Sequence, residues 1–218
     1  MAYSKKLAQT YAARRGRYRS SDDFLVPLLR KAKLKNKSVL DFGCGDGSET
    51  EMLLRMGAQR VVGIDPSEEM IRLAQQKKFP HAAFLKTDGH SLPFGDAEFD
   101  MVYSRFVLHY IKDLEPQFEE VSRVLKKSGH FLAIFQCLTN DQNLLNKKIP
   151  INLGRGKFVT KIHILSKSPD EVREAVRESN LRIIKFAEIK STDAQIDPKY
   201  KNKHEFKSTT YILFAKRV

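Results

Sequence analysis

The residues best suited to chemistry form one run, Val39-Leu40-Asp41-Phe42-Gly43-Cys44-Gly45-Asp46-Gly47-Ser48. An apolar segment ends in an acid, and three glycines follow at alternate positions. Glycine reaches backbone conformations closed to other residues and lets a ligand sit against the main chain. Ser48 is a good helix N-cap, and Glu49 and Glu51 fall in the first turn of the helix it would open. Acids recur downstream. Asp65 ends a second apolar run and can accept the two hydroxyls of a ribose. Asp88-Gly89 ends a third, where a carboxylate could take the exocyclic amine of an adenine, and Ser104-Arg105 ends a fourth. Each member also has a plain reading. Asp41 could anchor the glycine loop, Asp65 could cap a helix, and Asp88 could be a turn residue. The joint pattern is much rarer than any of its parts.

The glycine spacing is GxGxG, not the GxGxxG that seats a pyrophosphate on a helix N-terminus. The early helix acids would repel a phosphate but suit a cation. S-adenosylmethionine, with its ammonium and sulfonium groups, is such a ligand.

These residues need elements to place them. Strands are predicted at Ser38–Asp41, Arg60–Asp65, Ala82–Asp88, Phe99–Ser104 and His130–Cys137, with helices over 48–57, 67–77 and 115–127. Strands alternating with helices of this length give βαβ units and a parallel sheet with right-handed crossovers. A helix after Pro169 and two strands, Leu181–Ile189 and Ser208–Ala215, close the chain. Residues 139–166 have weak periodicity around Gly154-Arg155-Gly156. The expectation is one α/β domain: a Rossmann-like, doubly wound sheet of about seven strands, mostly parallel with one antiparallel, and helices on both faces. Within it, 1–37 would be an N-terminal helical cap, 38–138 the cofactor-binding core, and 139–218 an acceptor-side region ending in a hairpin.

Val39–Ser48, Val61–Met70, Thr87–Phe94 and Phe99–Asp113 resemble the successive motifs of class I S-adenosylmethionine-dependent methyltransferases. They are most similar to the broad small-molecule group that includes quinone-biosynthesis enzymes. The resemblance covers roughly 22–138, and Lys126–Phe131 matches the family's turn into the fifth strand. It implies S-adenosyl-L-methionine as cofactor and strand order 3-2-1-4-5-7-6. It also implies roles. Gly43, Cys44 and Gly45 would lie along the methionine moiety, Asp41 would help hold its ammonium through the loop, and Ser104 would sit nearby. Asp65 would bind the ribose, Pro66 and Met70 would flank the adenine, and Asp88 would receive its amine, backed by Gly89.

No catalytic residue is assigned. Methyl transfer from a sulfonium needs alignment first, and a base only where the acceptor must lose a proton. His109 and Tyr110 follow the fourth strand, where packing is the simpler role for the histidine. The six histidines show no metal-ligand spacing. Ser104-Arg105-Phe106-Val107 stands where nucleobase amino-methyltransferases carry Asn/Asp-Pro-Pro-Tyr/Phe, which argues against adenine N6 chemistry but leaves other RNA acceptors open.

Charge is the clue to partners. Residues 1–37 carry 11 Lys/Arg against 2 Asp/Glu, 38–138 carry 11 against 15, and 139–218 carry 17 against 9. The net +13 is therefore concentrated in the two flanks. If both flanks converged on the acceptor entrance, with Arg14, Arg15, Lys199, Lys201 and Lys203 around it, an anionic acceptor would follow. The expected function is methyl transfer to an unidentified, anionic small molecule. The alternatives are an RNA methyltransferase and a non-catalytic, cofactor-binding partner subunit.

No run approaches a membrane span, and the two cysteines form no disulfide framework. A reducing, cytoplasmic setting fits. The first 20 residues lack a secretory apolar stretch. Their Arg-rich, acid-free composition matches a transit peptide, but an amphipathic helix with Tyr3, Leu7 and Tyr11 on one face is the simpler reading.

Overall fold

The computed structural model describes residues 22–137, 148–153, 160–189 and 209–218. The N-terminal segment with Arg14 and Arg15, the Gly154–Gly156 stretch and the lysines at 199, 201 and 203 lie outside the described residues.

The three acids Asp41, Asp65 and Asp88 and the glycine turns singled out above sit where parallel strands end, because the alternation of apolar strands and amphipathic helices builds a doubly wound sheet. The elements are α1 (Asp22–Ala32), β1 (Ser38–Phe42), α2 (Ser48–Arg55), β2 (Arg60–Asp65), α3 (Glu68–Gln76), β3 (Ala82–Lys86), β4 (Phe99–Arg105), a short 3-10 turn (Leu108–Tyr110), α4 (Leu114–Val124), β5 (Leu125–Cys137), β6 (Lys148–Leu153), β7 (Thr160–Leu165), α5 (Pro169–Glu178), β8 (Leu181–Ile189) and β9 (Thr209–Arg217). Seven strands form one sheet in the order β3-β2-β1-β4-β5-β9-β8. The first five are parallel to their neighbours, and β9 inserts antiparallel between β5 and β8. β1 and β4 are neighbours in the sheet but are separated in sequence by two strands, β2 and β3, so the sheet reverses its winding between them. The C-terminal ends of β1 and β4 therefore flank the switch point where such sheets bind ligands.

Central strands are apolar on both sides because both faces are covered. On one face Leu25, Leu28 and Leu29 of α1 and Leu53 of α2 pack with Val39, Val61, Met101, Tyr103, Leu132, Ile212 and Phe214. On the other, Phe118 and Val121 of α4 and Val172, Ala175 and Val176 of α5 pack with Leu40, Val62, Val102, Phe131 and Leu213. Burying a side chain such as Leu29 or Phe118 stabilises the fold by about 1.5–3 kcal/mol. The helix α5 opens with Ser168, whose hydroxyl accepts the Glu171 N–H at 3.0 Å, and Pro169 follows where a missing N–H costs nothing.

Three features depart from the sequence expectation. The cap of α2 is Gly47, in the left-handed region at φ 78°, with no side-chain hydrogen bond. A side chain there would meet the Phe84 ring at 2.9 Å, and Ser48 instead turns its hydroxyl toward Asp46 at 3.0 Å. The fifth strand starts at Leu125, not His130, because Leu125 pairs with Phe99 and truncates α4. Residues 139–166, which showed no clear pattern, contain an antiparallel hairpin, β6–β7, outside the main sheet.

Candidate functional site

Beyond the C-terminal ends of β1, β2, β3 and β4 lies a cleft of about 240 Å³. One wall carries Phe42, Gly43, Gly45, Ile64, Asp65, Pro66, Met70, Thr87, Asp88 and Gly89, and the other carries Arg105, Phe106, Val107, Tyr110, Ile111 and Lys112. A wider, shallower groove of about 1020 Å³ runs between α1 and α2 on the sheet's flank. It holds none of the strand-end acids or glycines.

The glycine loop is shaped by its neighbours. Cys44 and Gly43 both donate backbone N–H to the Ile64 carbonyl, at 2.9 and 2.8 Å, which draws the loop across β2. A side chain on Gly43 would lie 2.2 Å from Val107 Cγ2, so this glycine is required by the opposite wall. Gly45, at φ 53°, has nothing within 4 Å of the position a Cβ would take. Its bare backbone opens onto the cleft and leaves room for a ligand.

Asp65 is 7% exposed. Its Oδ2 accepts the Gly45 N–H at 3.1 Å and its Oδ1 accepts the Ser67 N–H at 2.8 Å. Burial raises its pKa above the ordinary carboxylate value, and those two N–H groups work against the rise. A carboxylate oxygen has lone pairs for a second donor, so both oxygens can still accept from a diol. Asp88 is exposed and its Oδ1 accepts the His90 N–H at 3.1 Å. It thus shapes a turn while facing the cleft, and the two readings of it are compatible. Gly89 is buried over the Phe42 ring, and Gln117 of α4 clamps it by donating to its carbonyl at 2.7 Å.

Seven of the ten residues expected at a cofactor line this cleft: Gly43, Gly45, Asp65, Pro66, Met70, Asp88 and Gly89. Asp41, Cys44 and Ser104 do not. Asp41 is 1% exposed and its Oδ2 accepts the Thr50 hydroxyl at 2.6 Å, tying β1 to α2. The Cys44 thiol packs with Ile71, Ala74 and Phe84. Burial and then the charges of Asp41, Asp65 and Asp46 push it well above the usual thiol range, so it stays protonated. Ser104 is fully buried with its hydroxyl unpaired among the described residues.

The second wall adds residues that the motifs did not reveal. Arg105 pairs with Glu49 at 3.2 Å, and the buried Tyr103 hydroxyl donates to the same carboxylate at 2.7 Å. Glu49, an acid of the α2 first turn, thus locks the end of β4 to that helix. His109 is 4% exposed and does not line the cleft, whereas its neighbour Tyr110 does. Burial drives the His109 pKa down to about 3, so the ring is neutral at pH 7. Lys167, fully buried just after β7, donates to the Lys112 carbonyl and to Glu171, both at 2.6 Å. It fastens the 105–112 wall of the cleft to α5. Gln117 and Lys167 carried no sequence signal, because a lone polar residue on or near a helix ordinarily reads as solvent-facing.

The cleft suits an adenosyl group: apolar Pro66, Met70 and Ile64, a carboxylate that can take a diol, and a side-chain-free loop at Gly45. Comparisons with known proteins agree. The profile of the methyltransferase-domain family matches residues 40–133. The chain is 29% identical over 178 residues to mouse eEF1A lysine and N-terminal methyltransferase, across 76% of this chain and 25% of that protein. It is 31% identical over 141 residues to the uncharacterised methyltransferase YcgJ of Bacillus subtilis, across 63% of this chain and 51% of that one. The chain therefore spans a quarter to about half the length of these curated relatives. The fold matches a Mesorhizobium loti S-adenosylmethionine-dependent methyltransferase with a TM-score of 0.66 at 23% identity, covering 88% and 96% of the two chains. It also matches a Streptomyces coelicolor geranyl diphosphate C-methyltransferase solved with S-adenosyl-L-homocysteine, with a TM-score of 0.68 at 17% identity, covering 90% and 77%. The chain is thus similar to methyltransferases through its central segment, residues 40–133, and shares the fold of S-adenosylmethionine-dependent methyltransferases.

Proposed function

We propose that this protein transfers a methyl group from S-adenosylmethionine to a small, anionic acceptor. The observation that carries the reading is the polarity of the cleft. The wall built on β1–β3 holds both of its carboxylates, Asp65 and Asp88. The facing wall, 105–112, contributes Arg105, Lys112 and Tyr110 among apolar groups and has no carboxylate among the described residues lining it. A cationic cofactor fits the first wall; on the second, where Glu49 already holds Arg105, the exposed Lys112 ammonium and Tyr110 are the groups that would meet an anion. Bound S-adenosylmethionine supplies an activated methyl group. The chain's own part is to orient it: Asp65 holds the ribose, Gly45 leaves space for the methionine portion while Gly43 lets the loop pack against Val107, and the clamped rim presents the acceptor in line. Such alignment can lower a barrier by roughly 7–11 kcal/mol. Neutral His109 has no role as a base in this reading, since its ring lies off the cleft. The two buried free cysteines suit a cytoplasmic setting.

The test is incubation of the protein with labelled S-adenosylmethionine and fractionated cell extract. Label should enter acidic small molecules retained on an anion exchanger. Label confined to RNA would establish the RNA-methylating alternative. Cofactor binding with no label transferred to any fraction would point to the non-catalytic subunit.

A further inference from the structure

The described part of the basic N-terminal flank does not approach the cleft. Arg30 and Lys31 end α1, and Lys33, Lys35 and Lys37 lead into the start of β1. They stand at the N-terminal edge of the parallel strands, whereas the cleft lies beyond their C-terminal ends. For these residues, convergence of the flanks on the acceptor entrance is ruled out by the direction of β1.

The C-terminal flank supplies charge to this same edge. In the sheet register, Lys216 of β9 lies directly opposite His130 of β5 on one side and Arg182 of β8 on the other. Lys216 shares a face with Phe214 and Ile212, the face that α1 covers, because alternate strand residues point the same way. His130 stacks on the Phe214 ring at 5.0 Å. Burial, and then the charges of Lys216, Lys37 and Lys31, depress the His130 pKa, so cations from α1, the β1 approach and β9 all reach one ring. Like charges directly opposed on neighbouring strands destabilise a sheet. Compensation is scarce here. Asp100 serves both Lys37, at 3.1 Å, and Lys126, at 2.9 Å. Among the described residues, Lys31, Lys216 and Arg182 have no ion-pair partner.

We propose that this edge is a docking surface for the phosphate backbone of a nucleic acid, with Arg182, Lys216 and Lys31 as the contacting cations. Opposed residues on antiparallel strands stand about 5 Å apart, so Lys216 and Arg182 present two positive charges side by side, and Lys31 at the end of α1 adds a third close to His130. A flexible polyanion can meet every member at once, and each contact releases a counterion. A folded acidic protein would need carboxylates placed to match. The surface is remote from the cleft, so the inference holds whatever the acceptor is and does not rest on methyl transfer.

The probe is a 20-nucleotide single-stranded RNA of mixed sequence, with DNA of equal length beside it, titrated by fluorescence anisotropy over a salt series. The wild-type protein should bind both, with similar affinity in the presence and absence of saturating S-adenosylhomocysteine. Arg182→Ala with Lys216→Ala should weaken binding at least tenfold and flatten the salt slope by about 1.4, two contacts at roughly 0.7 each on a single strand. Lys31→Glu, on the exposed end of α1, should weaken it as well without disturbing the sheet. An unchanged S-adenosylhomocysteine affinity in the variants would show that the fold is intact. Identical RNA binding by wild type and variants would overturn the proposal. So would a preference for anionic phospholipid vesicles or an aspartate-rich peptide over the oligonucleotides at matched charge.

Discussion

The two edges of one sheet make opposite use of charge. At the C-terminal edge acids are individually placed, most of them at least partly buried: Asp65 takes two N–H groups, Asp41 takes Thr50, and Glu49 takes Tyr103 and Arg105, while Asp88 is exposed. At the N-terminal edge the charges are mostly cationic and exposed, and Asp100 is shared between two lysines. A site that must recognise one small molecule needs fixed geometry, and burial with defined partners supplies it. A surface that meets a flexible polymer needs density of charge more than placement. The charge asymmetry of the sequence is therefore not one signal but two. Two acids of the middle segment, Asp65 and Asp88, line the cleft, while Asp100 of the same segment serves the far edge. Those members of the basic flanks that the structure describes mark a separate face.

The comparison can be broken most forcefully at Asp65. Asp65→Ala should lower affinity for S-adenosylhomocysteine about 100-fold or more in calorimetry, since each charge-assisted bond to a ribose hydroxyl contributes roughly 1.5–3 kcal/mol. RNA binding at the far edge should not change. An unaltered cofactor affinity, with an intact circular dichroism spectrum, would reduce Asp65 to a local anchor for the Gly45 and Ser67 amides.

Gly43→Ala tests whether the two walls of the cleft are mechanically coupled. The added methyl would fall within 2.2 Å of Val107 Cγ2 on a backbone at φ 78°. Overpacking and a left-handed Ala together should cost roughly 2–4 kcal/mol in urea unfolding. Shortening the neighbour in the double variant Gly43→Ala with Val107→Ala should recover part of that loss. If it recovers none, the backbone conformation alone sets the requirement.

His109 gives the C-terminal edge a pH signature. Its folded pKa, about 3, lies below the ordinary 6.5, so between those values the unfolded chain binds a proton that the folded one refuses. Stability present above pH 6.5 should then be lost as pH falls toward 3, with a slope approaching about 1.4 kcal/mol per pH unit from this group. His109→Gln should flatten the slope in that window. Equal slopes in the two proteins would show that carboxylates dominate acid unfolding.

The smallest effect is expected at Asp100, where it sharpens the other side of the comparison. Burial opposes ionisation there, but the Ser38 amide and Lys126 and Lys37 more than offset it, and its pKa is lowered. Asp100→Asn should cost no more than about 1 kcal/mol, as is usual for partly exposed pairs. Freeing two ammonium groups should raise affinity for the RNA probe a few-fold. A fall in affinity would mean that Asp100 orders those lysines for contact.

What the amino-acid sequence determined by itself was local and periodic. Alternating apolar runs fixed β1, β2 and β4, and the acid-glycine run marked the turn after β1. Those signals are legible because each depends on residues a few positions apart. The strand order was legible through the resemblance of the motifs, and so was the placing of Gly43, Gly45, Asp65 and Asp88 at the strand ends, where they line the cleft. Tertiary structure decided which polar residues face inward and what they hold. Asp41, which the motif placed beside the ligand, is buried off the cleft and accepts the Thr50 hydroxyl, while Gln117, a bland helix residue, clamps Gly89 across 28 positions of chain. Tertiary structure alone also set which charges meet. Lys31, His130, Arg182 and Lys216 are far apart in sequence, and only strand register and the docking of α1 bring them to one edge. Registers depend on pairings between distant segments, and no local pattern encodes them.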